Sequence, residues 1–395
     1  MFDDTPLVMV ENQEAMDACL AQLAGAKVLG VDTESDSFYS YAEKVCLIQI
    51  SDLHRDYVID PLKVKDLSGL GPLFEDPEVV KILHGADYDI VCLKRDFGFE
   101  FRHVFDTLVA SQLLGLPKIG LGDLIGAYFG IHLEKAFQRH NWSLRPLKPE
   151  HIDYARGDTH WLPALREIMS RQLRERGRMP HLEEECVLLE KKTWQGRVFD
   201  EDDYLNVRGA HALGEQELRV LRRLFLYRNE QARKSNRPVF KVIPDDILVR
   251  VSKLSPTRVG ELEKVMSSKS SIRRRHGAAL IEQVAEGLED DFPIPKRKKK
   301  KKKKNDEPSG PVRLRGRAAE RAFEALKAWR NGVIQKDPTQ NSFTVASNKC
   351  LKQIASSCPR DLSELELVHE VRRWQVNDHG EAILSVLKKQ STEQG

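Results

Sequence analysis

The chain has 395 residues, too many for one comfortable hydrophobic core, so two or three domains are expected. A charged fraction of 31% beside 41% hydrophobic residues describes a folded, soluble protein, and no apolar stretch approaches the ~20 residues that a membrane span needs. The net charge of +3 conceals an uneven distribution: residues 296 to 304 are nine consecutive Lys or Arg, so the remainder is net acidic.

Taken in order, residues 7 to 25 predict a short strand and then a helix around Gln13 to Leu23. Val28-Leu29-Gly30-Val31-Asp32-Thr33-Glu34 reads as a buried strand with two carboxylates near its end. Residues i and i+2 of a strand share a face, so Asp32 and Glu34 aim at one point, where a hard cation such as Mg²⁺ or Mn²⁺ would relieve their repulsion. The turn-like Ser35-Asp36-Ser37 precedes alternating strands at Val45 to Ile50 and Tyr57 to Asp60, which complete a meander.

A helix is expected near Val64 to Phe74, a strand at Val79 to Leu83, and a helix from Ala86 to Phe97 capped by Asp87. Phe101 to Phe105 reads as a shorter strand, and Asp106 as the cap of a helix from Thr107 to Leu114. Helical patterns then continue to about Gly209, interrupted at Gly120, Gly122 and Pro146 to Pro149. Within them Tyr154 and Asp158 lie four apart, on one helical face.

Two more helical segments, about 210 to 290 and 313 to 390, flank Pro293-Ile294-Pro295, the basic run and a polar stretch to Pro311. Their patterns match roughly: Leu221, Leu224 and Arg228 recur as Leu326, Trp329 and Arg330, and Leu248 as Leu351. A repeated helical module is the economical account. The linker between the modules is too polar to pack, and its basic run either attracts phosphates at low salt or only spaces the modules. Six well-separated cysteines with no Cys-x-x-Cys pair predict reduced core thiols.

Three motifs now stand in order: Asp32-Thr33-Glu34, His84-Gly85-Ala86 leading to Asp89, and Tyr154-x-x-x-Asp158. Together they resemble the exonuclease motifs of the DEDD superfamily in its tyrosine-bearing branch. With Phe105-Asp106-Thr107, Lys135-x-x-Gln138-x-x-x-Trp142-x-x-Arg145-Pro146-Leu147 and the duplicated module, the chain is similar to the ribonuclease D family. The resemblance implies an RNase H-like α/β domain over residues 1–205, with a mixed five-stranded sheet flanked by helices. Two small all-α modules of the helicase-and-RNase-D C-terminal (HRDC) type would follow, at 210–292 and 313–395, separated by a disordered lysine-rich linker at 293–312.

It further implies that Asp32, Glu34, Asp89 and Asp158 hold two divalent cations, Mg²⁺ or Mn²⁺, and that Tyr154 orients the attacking water. Asp89 is chosen over Asp87 because the motif places its acid three residues after Ala86. Lys135 and Gln138 are candidate contacts to nucleic acid, and Trp142 is either another contact or core. Phe38, Tyr39 and Tyr41 either stack on the terminal base and wall the pocket or pack their loop. His84 and His160 either reach the site or, as the favoured reading, pack beside it. Arg219, Arg222, Arg223, Arg233 and Arg237, with Arg313, Arg315, Arg317 and Arg321, give the modules basic surfaces that either help hold RNA or simply solvate their helices.

The implied activity is 3′-to-5′ exoribonuclease action that releases 5′-mononucleotides from RNA, with tRNA precursors as substrates, by a monomeric cytoplasmic enzyme. A DNA-directed 3′-to-5′ exonuclease and a non-catalytic nucleic-acid-binding protein are the rival readings.

Overall fold

The computed structural model describes residues 5–134, 136–196, 199–295 and 313–392. Lys135 and the basic run at 296–304 lie outside the described residues, as does most of the expected linker.

The first part of the chain runs β1 (Leu7–Val10), α1 (Gln13–Leu23), β2 (Val28–Ser35), β3 (Val45–Ser51), β4 (Asp56–Ile59), α2 (Leu70–Glu75), β5 (Val80–Leu83), α3 (Asp87–Phe97), β6 (Val104–Asp106) and α4 (Thr107–Leu113). The helices α5 (Leu121–Phe129), α6 (Pro149–His160), α7 (Leu162–Glu175) and α8 (Met179–Glu190) complete it. The sheet has six strands, one more than expected, in the order β1-β4-β3-β2-β5-β6. The extra member is β1: its four residues pair in parallel with β4, from Leu7 opposite Asp56 to Val10 opposite Ile59. β2, β3 and β4 form the antiparallel meander, while β5 and β6 continue in parallel from β2. Every residue of β3 is buried, as a strand covered on both faces requires.

Two helix expectations change. Residues 64–69 form an irregular segment and a turn rather than helix, after Asp60 ends the strand by accepting from Leu62 N and binding Arg145 through both carboxylate oxygens, at 2.6 and 2.8 Å. Only α2 remains of that segment. Nor does Asp87 cap α3: its side chain is exposed and ion-paired with Lys192, and Ala86 occupies the cap position. The work expected of Asp87 falls to Asp106. Its buried carboxylate caps α4 by accepting from Leu108 N and Val109 N, and it also accepts from Gly85 N and Ala86 N, fixing the turn into α3.

Beyond 3₁₀ turns at 201–206 and 210–212 come two helical modules with separate cores. The first holds α9 (Glu215–Lys234), α10 (Val239–Val242), α11 (Asp245–Leu254) and α12 (Ser271–Glu289); the second holds α13 (Gly316–Lys336), α14 (Asn348–Ser357), α15 (Leu362–Glu366) and α16 (Arg373–Thr392). Each is pinned by one buried arginine on its first helix. Arg228 donates to Ile243 O at 3.0 Å and Asp245 at 2.6 Å; Arg330 donates to Ala346 O at 3.0 Å and Asn348 at 2.8 Å. This equivalence puts Leu326 in the place of Leu224, a one-turn correction to the repeat read from sequence.

Both modules dock on the sheet domain, in part through the loop after their first helix. In the first, Asn229 and Asn236 accept from Tyr41, through its hydroxyl at 2.8 Å and its backbone N–H at 3.2 Å. In the second, Asn341 donates to Gln112 O at 2.8 Å, and Trp374 joins the sheet domain's core, stacked on His181 at 4.9 Å. Arg372 adds an ion pair to Glu185 at 2.9 Å. All six cysteines are free thiols, and five are buried. No helix among the described residues is long and apolar enough to cross a membrane.

Candidate active site

The site forms where β2 leaves the sheet centre and α6 crosses over it. A side chain at Gly30 would not allow that crossing, since a Cβ there would lie 2.8 Å from Thr159 O and 3.1 Å from Leu162 Cβ. Two residues along β2 on the same face is Asp32, and two further is Glu34. Asp158 on α6 brings its carboxylate to them, so that one oxygen from each of Asp32, Glu34 and Asp158 lies within 4.8 Å of the others. The fourth acid, Asp89, belongs to the first turn of α3 and is 8% exposed. It is turned slightly aside and accepts from the Thr33 hydroxyl at 2.5 Å.

Packing these acids together raises them all. Burial comes first, and then the fields of Asp89, Asp158 and Glu34, in lifting Asp32 well above the usual carboxylate range. Glu34 is pushed to about 9 by burial and then by Asp158 and Asp89. Asp158 rises to about 7 through burial, despite a hydrogen bond from Tyr154 that lowers it. Asp89 reaches about 6 for the same primary reason, opposed by its Thr33 bond. A half-buried anionic set of this kind is resolved either by protons or by cations, and its all-carboxylate oxygen donors suit a small divalent cation. Gln49, the cross-strand partner of Asp32, is fully buried, and neither of its amide atoms has a hydrogen-bond partner among the described residues. The residues therefore fit a cation site, and a buried amide without a partner lies beside it on the neighbouring strand.

Tyr154 stands one turn before Asp158 and hydrogen-bonds to it. Its ring packs on Phe137 and Trp142, each at 5.8 Å between centroids. Burial, and then Asp158, Glu34 and Asp32, hold its phenol above the ordinary value, so it remains a hydrogen-bond donor at neutral pH. A cleft of about 370 Å³ runs past these two side chains, walled by Leu133, Phe137 and Asp153.

The opposite face of α6 anchors it. Arg156 and His160, two residues beyond Tyr154 and Asp158 respectively, point away from the acids. Arg156 donates to Asp56 at 2.5 Å and to Thr5 O at 2.6 Å, and His160 meets the same Asp56 oxygen at 2.9 Å. The Ser51 hydroxyl bridges the other Asp56 oxygen to Thr159, at 2.7 Å on each side. One helix thus carries the site on one face and its attachment to β3 and β4 on the other.

The remaining candidates separate. Trp142 is 1% exposed and is core. His84 packs on the Thr107 hydroxyl at 2.9 Å, and His160 serves the anchor. Tyr41 is committed to the first module. Gln138 is exposed on the turn at 136–139. Phe38, 44% exposed, lies under Arg139 of that turn, and Tyr39 donates to Arg139 O at 2.8 Å. Asp56, Arg156, Gln49 and Thr33 escaped the sequence reading. For Arg156 a signal existed, in its position opposite the Tyr154 and Asp158 face; for Asp56, in a short turn-flanked strand, there was none.

Comparison with known proteins places these features in a family. The family model described as 3'-5' exonuclease matches residues 7–174, and the HRDC domain model matches twice, at 217–284 and 319–387. The chain is 32% identical over 262 residues to ribonuclease D of Desulfotalea psychrophila, which covers 66% of this chain and 70% of that protein. It is also 32% identical over 322 residues to Protein RRP6-like 1 of Arabidopsis thaliana, covering 74% of this chain but half of that longer relative. The crystal structure of Escherichia coli RNase D superposes with a TM-score of 0.66 over 96% of this chain and 98% of that one; at 22% identity this is a likeness of fold.

Proposed function

Because the chain belongs to the ribonuclease D family of 3′-to-5′ exonucleases, we propose that it removes nucleotides one at a time from RNA 3′ ends, releasing 5′-mononucleotides, with tRNA precursors as substrates. The observation that carries this reading is the convergence of Asp32, Glu34 and Asp158, with Asp89 beside them and Tyr154 bonded to Asp158. In this reading Asp32, Glu34, Asp89 and Asp158 hold two Mg²⁺ or Mn²⁺ ions. Bound there, the cations would neutralise charge at the attacking and leaving oxygens of the phosphodiester and favour ionisation of water.

The side chains supply the rest. Tyr154 would turn its one hydroxyl proton from Asp158 to the attacking water and so orient it opposite the departing 3′ oxygen, and it does not take up the water's proton, since its phenol stays protonated. The Thr33 hydroxyl fixes the rotamer of Asp89. The Asp56 anchor holds α6, and with it Tyr154 and Asp158, at a set height over β2.

Matched RNA and DNA oligonucleotides, incubated with Mg²⁺ or with chelator, test the reading. Mononucleotides should leave the RNA 3′ end with Mg²⁺ only, and a tRNA transcript with a 3′ extension should shorten likewise. Equal digestion of DNA would make the enzyme a general 3′ exonuclease, and binding without release would leave a non-catalytic module. In the same assay Tyr154→Phe should lose about 10²–10³ in rate, as expected for one aligned donor, with folding intact because the ring is kept. A fully active variant would remove Tyr154 from the chemistry.

A further inference from the structure

A cavity of about 180 Å³ opens on the first helical module, between the end of α9, α10 and the start of α12. Arg237, Lys241 and Arg275 line it together with His276 and the hydroxyl residues Ser235 and Ser271, and no carboxylate does. Four arginines elsewhere on this module are ion-paired: Arg222 with Glu201, Arg223 with Glu286 and Asp290, Arg228 with Asp245, and Arg273 with Glu263. Arg237, Lys241 and Arg275 have no ion-pair partner among the described residues. Three cations without a carboxylate partner around one concavity make a receptor for a tetrahedral oxyanion. The local field is felt by His276, which burial and then Arg275 and Arg237 hold below its ordinary pKa.

The position of the cavity selects which anion. Lys241 Nζ sits 3.5 Å from the centroid of the Tyr39 ring, and Tyr39 lies on the turn leading out of β2, five residues after Glu34. Phe240, next to Lys241, is 50% exposed. Cations beside an exposed aromatic side chain form the kind of surface along which a single strand lies, its phosphates on the one and a base on the other.

We propose that this cavity holds a backbone phosphate of the substrate strand, upstream of the nucleotide being released. The proposal rests on the reading above that RNA is the substrate. The site grips only a strand long enough to reach from the acids past Tyr39 to Arg237 and Arg275, so it makes affinity depend on length while leaving the chemistry at the 3′ end to other residues. Free phosphate or a nucleotide shares the same chemistry but would show no dependence on length.

The test uses the full chain in chelator, with fluorescently labelled RNAs of two and of roughly twelve nucleotides, and the exposed double variant Arg237→Gln/Arg275→Gln. Wild type should bind the longer RNA far more tightly. The variant should lose about tenfold or more on the longer RNA and less than about threefold on the dinucleotide, and its salt slope should become shallower by about 0.7 for the one phosphate released. Lys241→Gln should shift in the same direction, which guards against a folding defect in the double variant. Unchanged affinity for the longer RNA, or equal losses on both lengths, would overturn the proposal. So would inorganic phosphate displacing both lengths alike. If wild type digests RNA with Mg²⁺ yet binds both lengths equally, the subsite falls and the exonuclease reading stands; if it releases nothing, both fall.

Discussion

Asp32→Ala and Asp158→Ala should each abolish nucleotide release while leaving the protein folded. Asp32 and Asp158 contribute two of the three oxygens that converge within 4.8 Å, so removing either opens the only such cluster among the described residues. A variant that kept more than about a tenth of the rate, a loss below ~1.4 kcal/mol, would refute the assignment. Stability should move the other way. Burial raises both carboxyls above their ordinary values, so these groups favour the folded chain when protonated and oppose it when ionised. With chelator present, wild-type stability should therefore fall as pH rises from about 4, where the unfolded carboxyls ionise, through the folded values of about 6 for Asp89, 7 for Asp158 and 9 for Glu34. Asp158→Ala should flatten this decline, and Mg²⁺ at pH 8 should raise the melting temperature of wild type but hardly that of the variant. Thermal melts across pH, with and without Mg²⁺, decide.

The second large effect is expected at a residue that never meets substrate. Asp56→Ala leaves Arg156 buried without its carboxylate and removes the shared partner of His160 and Ser51, which by the usual cost of breaking a buried pair is about 3–5 kcal/mol. Activity should fall with it, because the same helix carries Tyr154 and Asp158. Burial alone would push Asp56 up, but bonds from His160, Ser51 and Arg156 together hold it below its ordinary value. Its contribution is then fully present above the unfolded value of about 3.9 and is lost only as pH falls below that through the folded value. Urea unfolding near neutral pH is the check, and a midpoint close to that of wild type would show that α6 is held by something else.

The chemistry was more legible than its support. Asp32 and Glu34 announced themselves by strand periodicity, Tyr154 and Asp158 by helical periodicity, and Asp106 by standing before a helix; each is a local relation between neighbours in sequence. Asp56 and Arg156 are 100 residues apart, and nothing in either segment marks them as partners. The same limit explains Asp87, whose place before an apolar pattern suggested a cap when the turn was already tied by Asp106 from the adjacent strand. It explains the place of β1 as well: its four residues read as a strand, but only β4, nearly fifty residues on, makes them the sixth member of the sheet. In the modules, periodicity found the repeat but misplaced it by a turn, since leucines recur at every turn whereas the buried arginine occurs once.

The docking of the second module bears on how the chain can be divided. Trp374 is 4% exposed and belongs to the core of the sheet domain, although it lies beyond the basic run in sequence. Excising residues 313–395 as if they were a detachable appendage would open a hollow beside His181 and leave Glu184 and Glu185 without the backbone N–H groups and guanidinium they accept from. The packed unit around the sheet is therefore discontinuous: it comprises the sheet domain and the start of the final helix, and a fragment trimmed at the linker would follow the boundaries of the sequence rather than those of the fold.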